Sequence, residues 1–160
     1  MCNLYIMRTI NNWLDEYGDS HQNDTNELIH WICVPLIFFA VTGLLYGIKL
    51  PFFFQGHQLN IAMIAVGLVL IYYFMLSPTL SAGMFLFSTL CLFVAHCIER
   101  SGIMPLWLFC VIIFVLAWIG QFYGHKIEGK KPSFLKDLQF LMIGPAWLMS
   151  FLYKRMGIKL

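Results

Sequence analysis

Four apolar runs, Trp31–Ile48, Leu59–Leu76, Leu80–Ile98 and Met104–Tyr123, constrain this chain more than any other feature. Each has roughly the ~20 mostly apolar residues that a helix needs to cross the hydrocarbon of a bilayer. The composition agrees: 60% of residues are apolar, 11% are charged and the mean hydropathy is +0.76, outside the range of soluble domains. At 160 residues the expectation is one membrane-embedded domain, residues 1–160, all-α, with four transmembrane helices.

Charge placement orients it. Four spans put both termini on one side, with Arg8, Lys126, Lys130, Lys131, Lys136, Lys154, Arg155 and Lys159, and leave Lys49 and Arg100 on the other. The positive-inside bias assigns the first side to the cytoplasm, in an inner membrane if the chain is bacterial and the endoplasmic reticulum if it is eukaryotic. The residues before Trp31 are polar and mixed in charge, unlike a signal peptide, so the first span is expected to be its own insertion signal. The cysteines show no C-x-x-C spacing and are read as small buried hydrophobes.

Two flanking elements accompany the spans. Residues 1–18 place Leu4, Ile10, Trp13, Leu14 and Tyr17 on one broad face, expected to lie in the membrane interface with Trp13 and Tyr17 as anchors and Gly18 as the stop. The uncharged run Leu138–Tyr153 is short for a span and contains Gly144-Pro145. It is expected to be an interfacial or re-entrant helical hairpin over residues 134–153, with a fifth span as the alternative. The link Lys49–Gln58 reads as a short loop, and Ser77-Pro78 as a tight turn between antiparallel helices.

Polar residues concentrate in two stretches. Asn23, Asp24 and Thr25 are helix-start residues ahead of the first span, which puts Asn23, Asn26 and His30 on one helical face and His21 just before it. At the end of the fourth span, Gln121, His125 and Glu128 fall at 0, +4 and +7, again one face, and Gly124 leaves room beside His125. Lys130, Lys131 and Pro132 follow. His21, His30 and His125, with Glu128, Gln121, Asn23 and Asn26 around them, form the candidate site. Three imidazoles suit a divalent transition metal; a polar cap of hydrogen-bonded histidines fits the same residues. His96-x-x-Glu99 lies on the opposite side and reads as a helix end with a local Glu99–Arg100 pair.

Other chemistries fit less well. Gly124-x-x-x-x-Gly129-Lys130 has Lys131 where a phosphate-binding loop needs Ser or Thr. No dinucleotide, zinc-protease or serine-hydrolase motif occurs, and nothing points to nucleic acid.

The two stretches together resemble the membrane 2-hydroxy fatty acid dioxygenase family, the Mpo-like enzymes of phytosphingosine breakdown. S-H-x-N-x-x-N-x-x-I-H-W-x-x-V-P runs from Ser20 to Pro35, with one residue more before Asn26 than the family pattern. A-W-x-x-Q-F-x-G-H-x-x-E-x-K-K-P-x-x-L-x-D-L runs from Ala117 to Leu138. One residue fewer separates His125 from Glu128 than in fungal members, which bears on Glu128 and leaves His125 intact. The resemblance implies an Fe(II) enzyme of fatty-acid alpha-oxidation, taking a long-chain 2-hydroxy fatty acid and O2 to the acid one carbon shorter and CO2. It implies His21, His30 and His125 as iron ligands, and Glu128 as a fourth ligand or a carboxylate orienting an imidazole. Asn26 and Gln121 would hydrogen-bond ligands or substrate. Asn23 and Lys130 or Lys131 would meet the substrate, the lysines alternatively being a solvated pair. A non-catalytic membrane lipid-binding or scaffold protein with structural histidines is the alternative, and a metal-dependent lipid hydrolase or transferase a third reading.

Overall fold

The structure, a computed structural model, describes residues 10–18, 22–54, 56–129 and 134–159, leaving the side chains of 11, 16, 57 and 134–142 outside the description. In chain order come α1 (Ile10–Gly18), α2 (Asp24–Tyr46), β1 (Lys49–Phe54), β2 (His57–Asn60), α3 (Ile61–Leu76), α4 (Pro78–Ser101), α5 (Leu106–Glu128) and α6 (Phe134–Arg155).

Helix α2 starts where its sequence directs. Asn23 is extended, and its side-chain oxygen accepts from the N–H groups of Thr25 and Asn26. Two of the orphan donors of a helix start are thereby satisfied. Ser77 caps α4 in the same way, accepting from Leu80 N–H, and Pro78 occupies the first turn, where its missing N–H is harmless. The expected tight turn therefore joins α3 and α4 as antiparallel neighbours.

Helices α2, α4 and α5 are long and apolar enough to cross a membrane. Their outer faces, and that of α3, expose Leu68, Phe74, Leu86, Leu90, Phe93, Ile112, Leu116 and Ile119. Such an apolar mantle suits lipid rather than water.

Three expectations need correction. The second apolar run becomes a helix of only 16 residues, α3, about 24 Å long and short of a full span. Leu59 and Asn60 are drawn into β2, and Asn60 caps the helix through Met63 N–H. The Lys49–Gln58 link is not a plain loop but adds a two-stranded sheet to described residues that are otherwise mostly helical. It forms an antiparallel hairpin pairing Lys49 with Asn60 and Phe54 with His57, turned by Gly56 at φ 82°. Pro51 and the unbroken run Phe52–Phe54 conceal the alternation that marks a strand.

The third correction is α6, a single helix through Gly144-Pro145 and not a hairpin. An interior proline costs about 3 kcal/mol. Here Ile143, Ala146, Trp147, Leu148, Ser150 and Tyr153 are buried on both sides of it, and Tyr153 donates to Thr79 O at 2.8 Å. Packing on both flanks outweighs the local break. α6 packs against α1, α2 and α4, and the α1 residues Ile10, Leu14 and Tyr17 join Val34, Tyr73, Leu80, Met84 and Trp147 in the core. The expected interfacial anchor Tyr17 is thus an interior residue, and Trp13 packs against the same cluster.

Candidate functional site

The N-terminal end of α2 meets the C-terminal end of α5, and close approach makes the meeting possible. A Cβ on Gly43 would collide with Cys110 Sγ, one on Gly120 would lie 2.6 Å from Cys33 Sγ, and one on Gly124 would collide with Asn26 Oδ1. Among apolar helices in lipid, van der Waals fit rather than water exclusion holds such a pair, and small residues permit it. Cys33 and Cys110 are buried free thiols in this seam, as expected, whereas Cys97 is exposed, against the expectation for the cysteines as a group.

The close seam brings His30 and His125 together. Both are buried, 1% and 8% exposed. Their rings meet edge to face, centroids 5.0 Å apart at an interplanar angle of 81°. His30 Nδ1 lies 2.9 Å from the backbone oxygen of Asn26, one turn earlier. A carbonyl only accepts, so Nδ1 carries the proton and the neutral ring's lone pair falls on Nε2.

Glu128 reaches across from the last turn of α5. Its Oε1 accepts from Gln22 N–H at 2.9 Å, and its Oε2 accepts from Asn23 N–H and from Asn26 Nδ2, each at 3.0 Å. Because a carboxylate accepts only, the Asn26 amide orientation is fixed, with Oδ1 turned to Gly124. That oxygen is fully buried and has no hydrogen-bond donor among the described residues. Gln121 is buried one turn before His125 on the same stripe of α5. Asn23 is exposed and occupied in capping α2. His21, Lys130 and Lys131 lie outside the described residues.

Two site neighbours escaped the sequence reading. The Tyr17 ring stands 6.4 Å from that of His30, edge-on, and 5.1 Å from that of Trp147. Gly144 makes room for Tyr17, since a Cβ there would lie 3.2 Å from its hydroxyl. Amphipathic spacing marked Tyr17 as apolar-facing, but no local signal named α6 as the surface it faces.

The second H-x-x-E pair is kept apart, at the other end of α2. Tyr46 Oη and His96 Nδ1 are 3.0 Å apart, and Glu99 pairs with Lys49 at 2.8 Å. Lys49, rather than the adjacent Arg100, is the partner of Glu99, because the hairpin returns it to α4.

A metal fits the donor set in kind. Two imidazoles bound to one first-row ion at metal–nitrogen distances of about 2.1 Å place their centroids roughly 5 Å apart, and the Nδ1–carbonyl bond of His30 is the usual orienting contact of an imidazole ligand. Among the described residues no set of three His, Cys, Asp or Glu side chains is grouped to hold an ion.

Fold and site together define a helical, membrane-type protein with a buried imidazole pair at one end of the closely packed α2–α5 pair. The chain belongs to the 2-hydroxy-palmitic acid dioxygenase Mpo1-like family, whose model matches residues 7–156. It is 32% identical over 142 residues to the 2-hydroxy-palmitic acid dioxygenase MPO1 of Saccharomyces cerevisiae, covering 86% of this chain and 76% of that protein. No solved structure matches it.

Proposed function

We propose that this chain is an Fe(II)-dependent dioxygenase that converts a long-chain 2-hydroxy fatty acid and O2 to the fatty acid one carbon shorter, CO2 and water. The observation that carries the reading is the buried His30–His125 pair, with the His30 tautomer set by Asn26. The substrate class follows that of the yeast relative, a 2-hydroxy-palmitic acid dioxygenase.

The reaction balances without a further reductant, because the hydroxy acid gives up all four electrons that O2 accepts. Bound Fe(II) would supply the electron exchange between O2 and the substrate's hydroxyl and carboxylate, a natural chelating pair. His30 through Nε2, His125 and His21 would hold it. Burial of the two imidazoles keeps competing water away. Asn26 and Gln121 offer hydrogen bonds to substrate or ligands, and Lys130 and Lys131 attract the carboxylate. The acyl tail lies among the apolar helices. The end of the molecule bearing α1, α6 and the site faces the cytoplasm by the positive-inside bias, with α3 crossing a locally thinned bilayer.

Oxygen uptake by the detergent-purified protein, loaded anaerobically with Fe(II) and given 2-hydroxyhexadecanoic acid, tests this. Uptake matched by pentadecanoic acid and CO2, and abolished by His30→Ala or His125→Ala, is expected. A protein that retains no iron and consumes no O2 would instead be a lipid-binding or scaffold protein with structural histidines. Turnover without O2 would mean a hydrolase.

A further inference from the structure

Glu128 stands at the wrong end of its own helix. A carboxylate in the last turn of α5 faces the negative end of that helix's dipole, which is unfavourable. Its position makes sense only through α2, whose positive N-terminal end it meets. There the donors divide cleanly: Asn23 Oδ1 takes the N–H groups of Thr25 and Asn26, and the Glu128 carboxylate takes those of Gln22 and Asn23 together with Asn26 Nδ2. Drawing Glu128 onto an ion would hand the exposed Gln22 and Asn23 N–H groups to water and take the acceptor from the part-buried Asn26 Nδ2, the loss that costs most.

We propose that Glu128 is a positioning residue and not a metal ligand: its carboxylate clamps the start of α2 to the end of α5 and so sets the separation of His30 and His125. The chain of contact is short. Glu128 fixes the Asn26 side chain against Gly124, and the backbone oxygen of Asn26 holds His30 Nδ1, while His125 follows Gly124 directly. Both imidazoles are therefore registered through a single carboxylate. The metal part of this inference rests on the proposed function; the clamp itself does not.

Glu128→Gln is the informative variant, being isosteric but bringing an NH2 group against backbone N–H donors. The first arm uses the metal-free protein in detergent and follows amide hydrogen exchange. Gln22 and Asn23 amides should exchange roughly ten-fold or more faster than in the parent, while amides at the far end of α2, Tyr46 to Ile48, stay unchanged and report an intact fold. Unchanged exchange at Gln22 and Asn23 overturns the clamp. Glu128→Asp, with the charge kept on a shorter stem, should fall between the two.

The second arm titrates Co(II) anaerobically and reads the visible absorption of the bound ion. Glu128→Gln should bind roughly 10–100-fold more weakly, the usual loss when a group that orients a ligand is removed, with the band shape of the loaded parent. A changed band shape would make Glu128 a ligand and overturn the proposal. A parent protein that binds no Co(II) overturns the metal reading of the proposed function, and the exchange arm then decides the clamp alone.

Discussion

Asn26 and Gly124 touch so closely that no side chain fits between them: a Cβ on Gly124 would run into Asn26 Oδ1. This contact lies one turn from His30 on α2 and one residue from His125 on α5, so the helix spacing that the contact permits is also the spacing of the imidazoles. Gly124→Ala should lower stability by about 1–3 kcal/mol, the usual cost of overpacking, and reduce oxygen uptake at least roughly ten-fold. Gly67→Ala, with nothing within 4 Å of the new methyl, should be neutral or stabilising by up to about 1 kcal/mol. Unfolding in detergent and oxygen uptake, measured on both, check the pair; equal behaviour would refute the contact.

Tyr17 supplies a different kind of support. Its ring is 4% exposed and packed beside His30 and Trp147. Tyr17→Ala leaves a void at the imidazole and should cost about 3–5 kcal/mol, visible as a lowered unfolding midpoint. An unshifted midpoint would mean that α1 does not dock on α6.

The cap of α2 is separable from the clamp. Asn23→Ala should destabilise by about 1 kcal/mol, whereas Asn23→Ser, which restores an acceptor at the same place, should recover most of it. Thermal unfolding of the two variants is the measurement, and equal losses would argue against side-chain capping.

The Lys49–Glu99 pair offers the contrast. Its side chains are 28% and 40% exposed, so solvent screens them. Glu99→Gln should cost less than about 1 kcal/mol, with the difference shrinking further in high salt, and oxygen uptake should be unchanged. Loss of activity here would place a functional group at the far end of the molecule.

Much of this molecule is local in origin and was therefore legible. The apolar runs that became α2, α4 and α5 need only length and hydropathy. The start of α2 follows from the side chain of Asn23, which reaches no farther than Asn26. The grouping of His30 and His125 was also readable, because helices joined in series across a membrane return polar ends to the same side.

The sequence by itself thus determined α2, α4 and α5, their order, and that Asn26, His30, Gln121, His125 and Glu128 share an end. Only the tertiary structure decided how those residues are used. Glu128 reads along the chain as a ligand or as a carboxylate orienting an imidazole, and its distant donors on Gln22, Asn23 and Asn26 appear only in the fold. Tyr17 reads as a lipid anchor until α6 covers it, and Pro145 reads as a break until packing on both flanks overrides it. Even α3 starts late in its apolar run, because Leu59 and Asn60 belong to β2 and Asn60 pairs with Lys49 across the hairpin. In each case the deciding partner is distant in sequence. Periodicity and capping act over a turn or two of helix, whereas hydrogen bonds and close packing between helices depend on which surfaces the fold presses together.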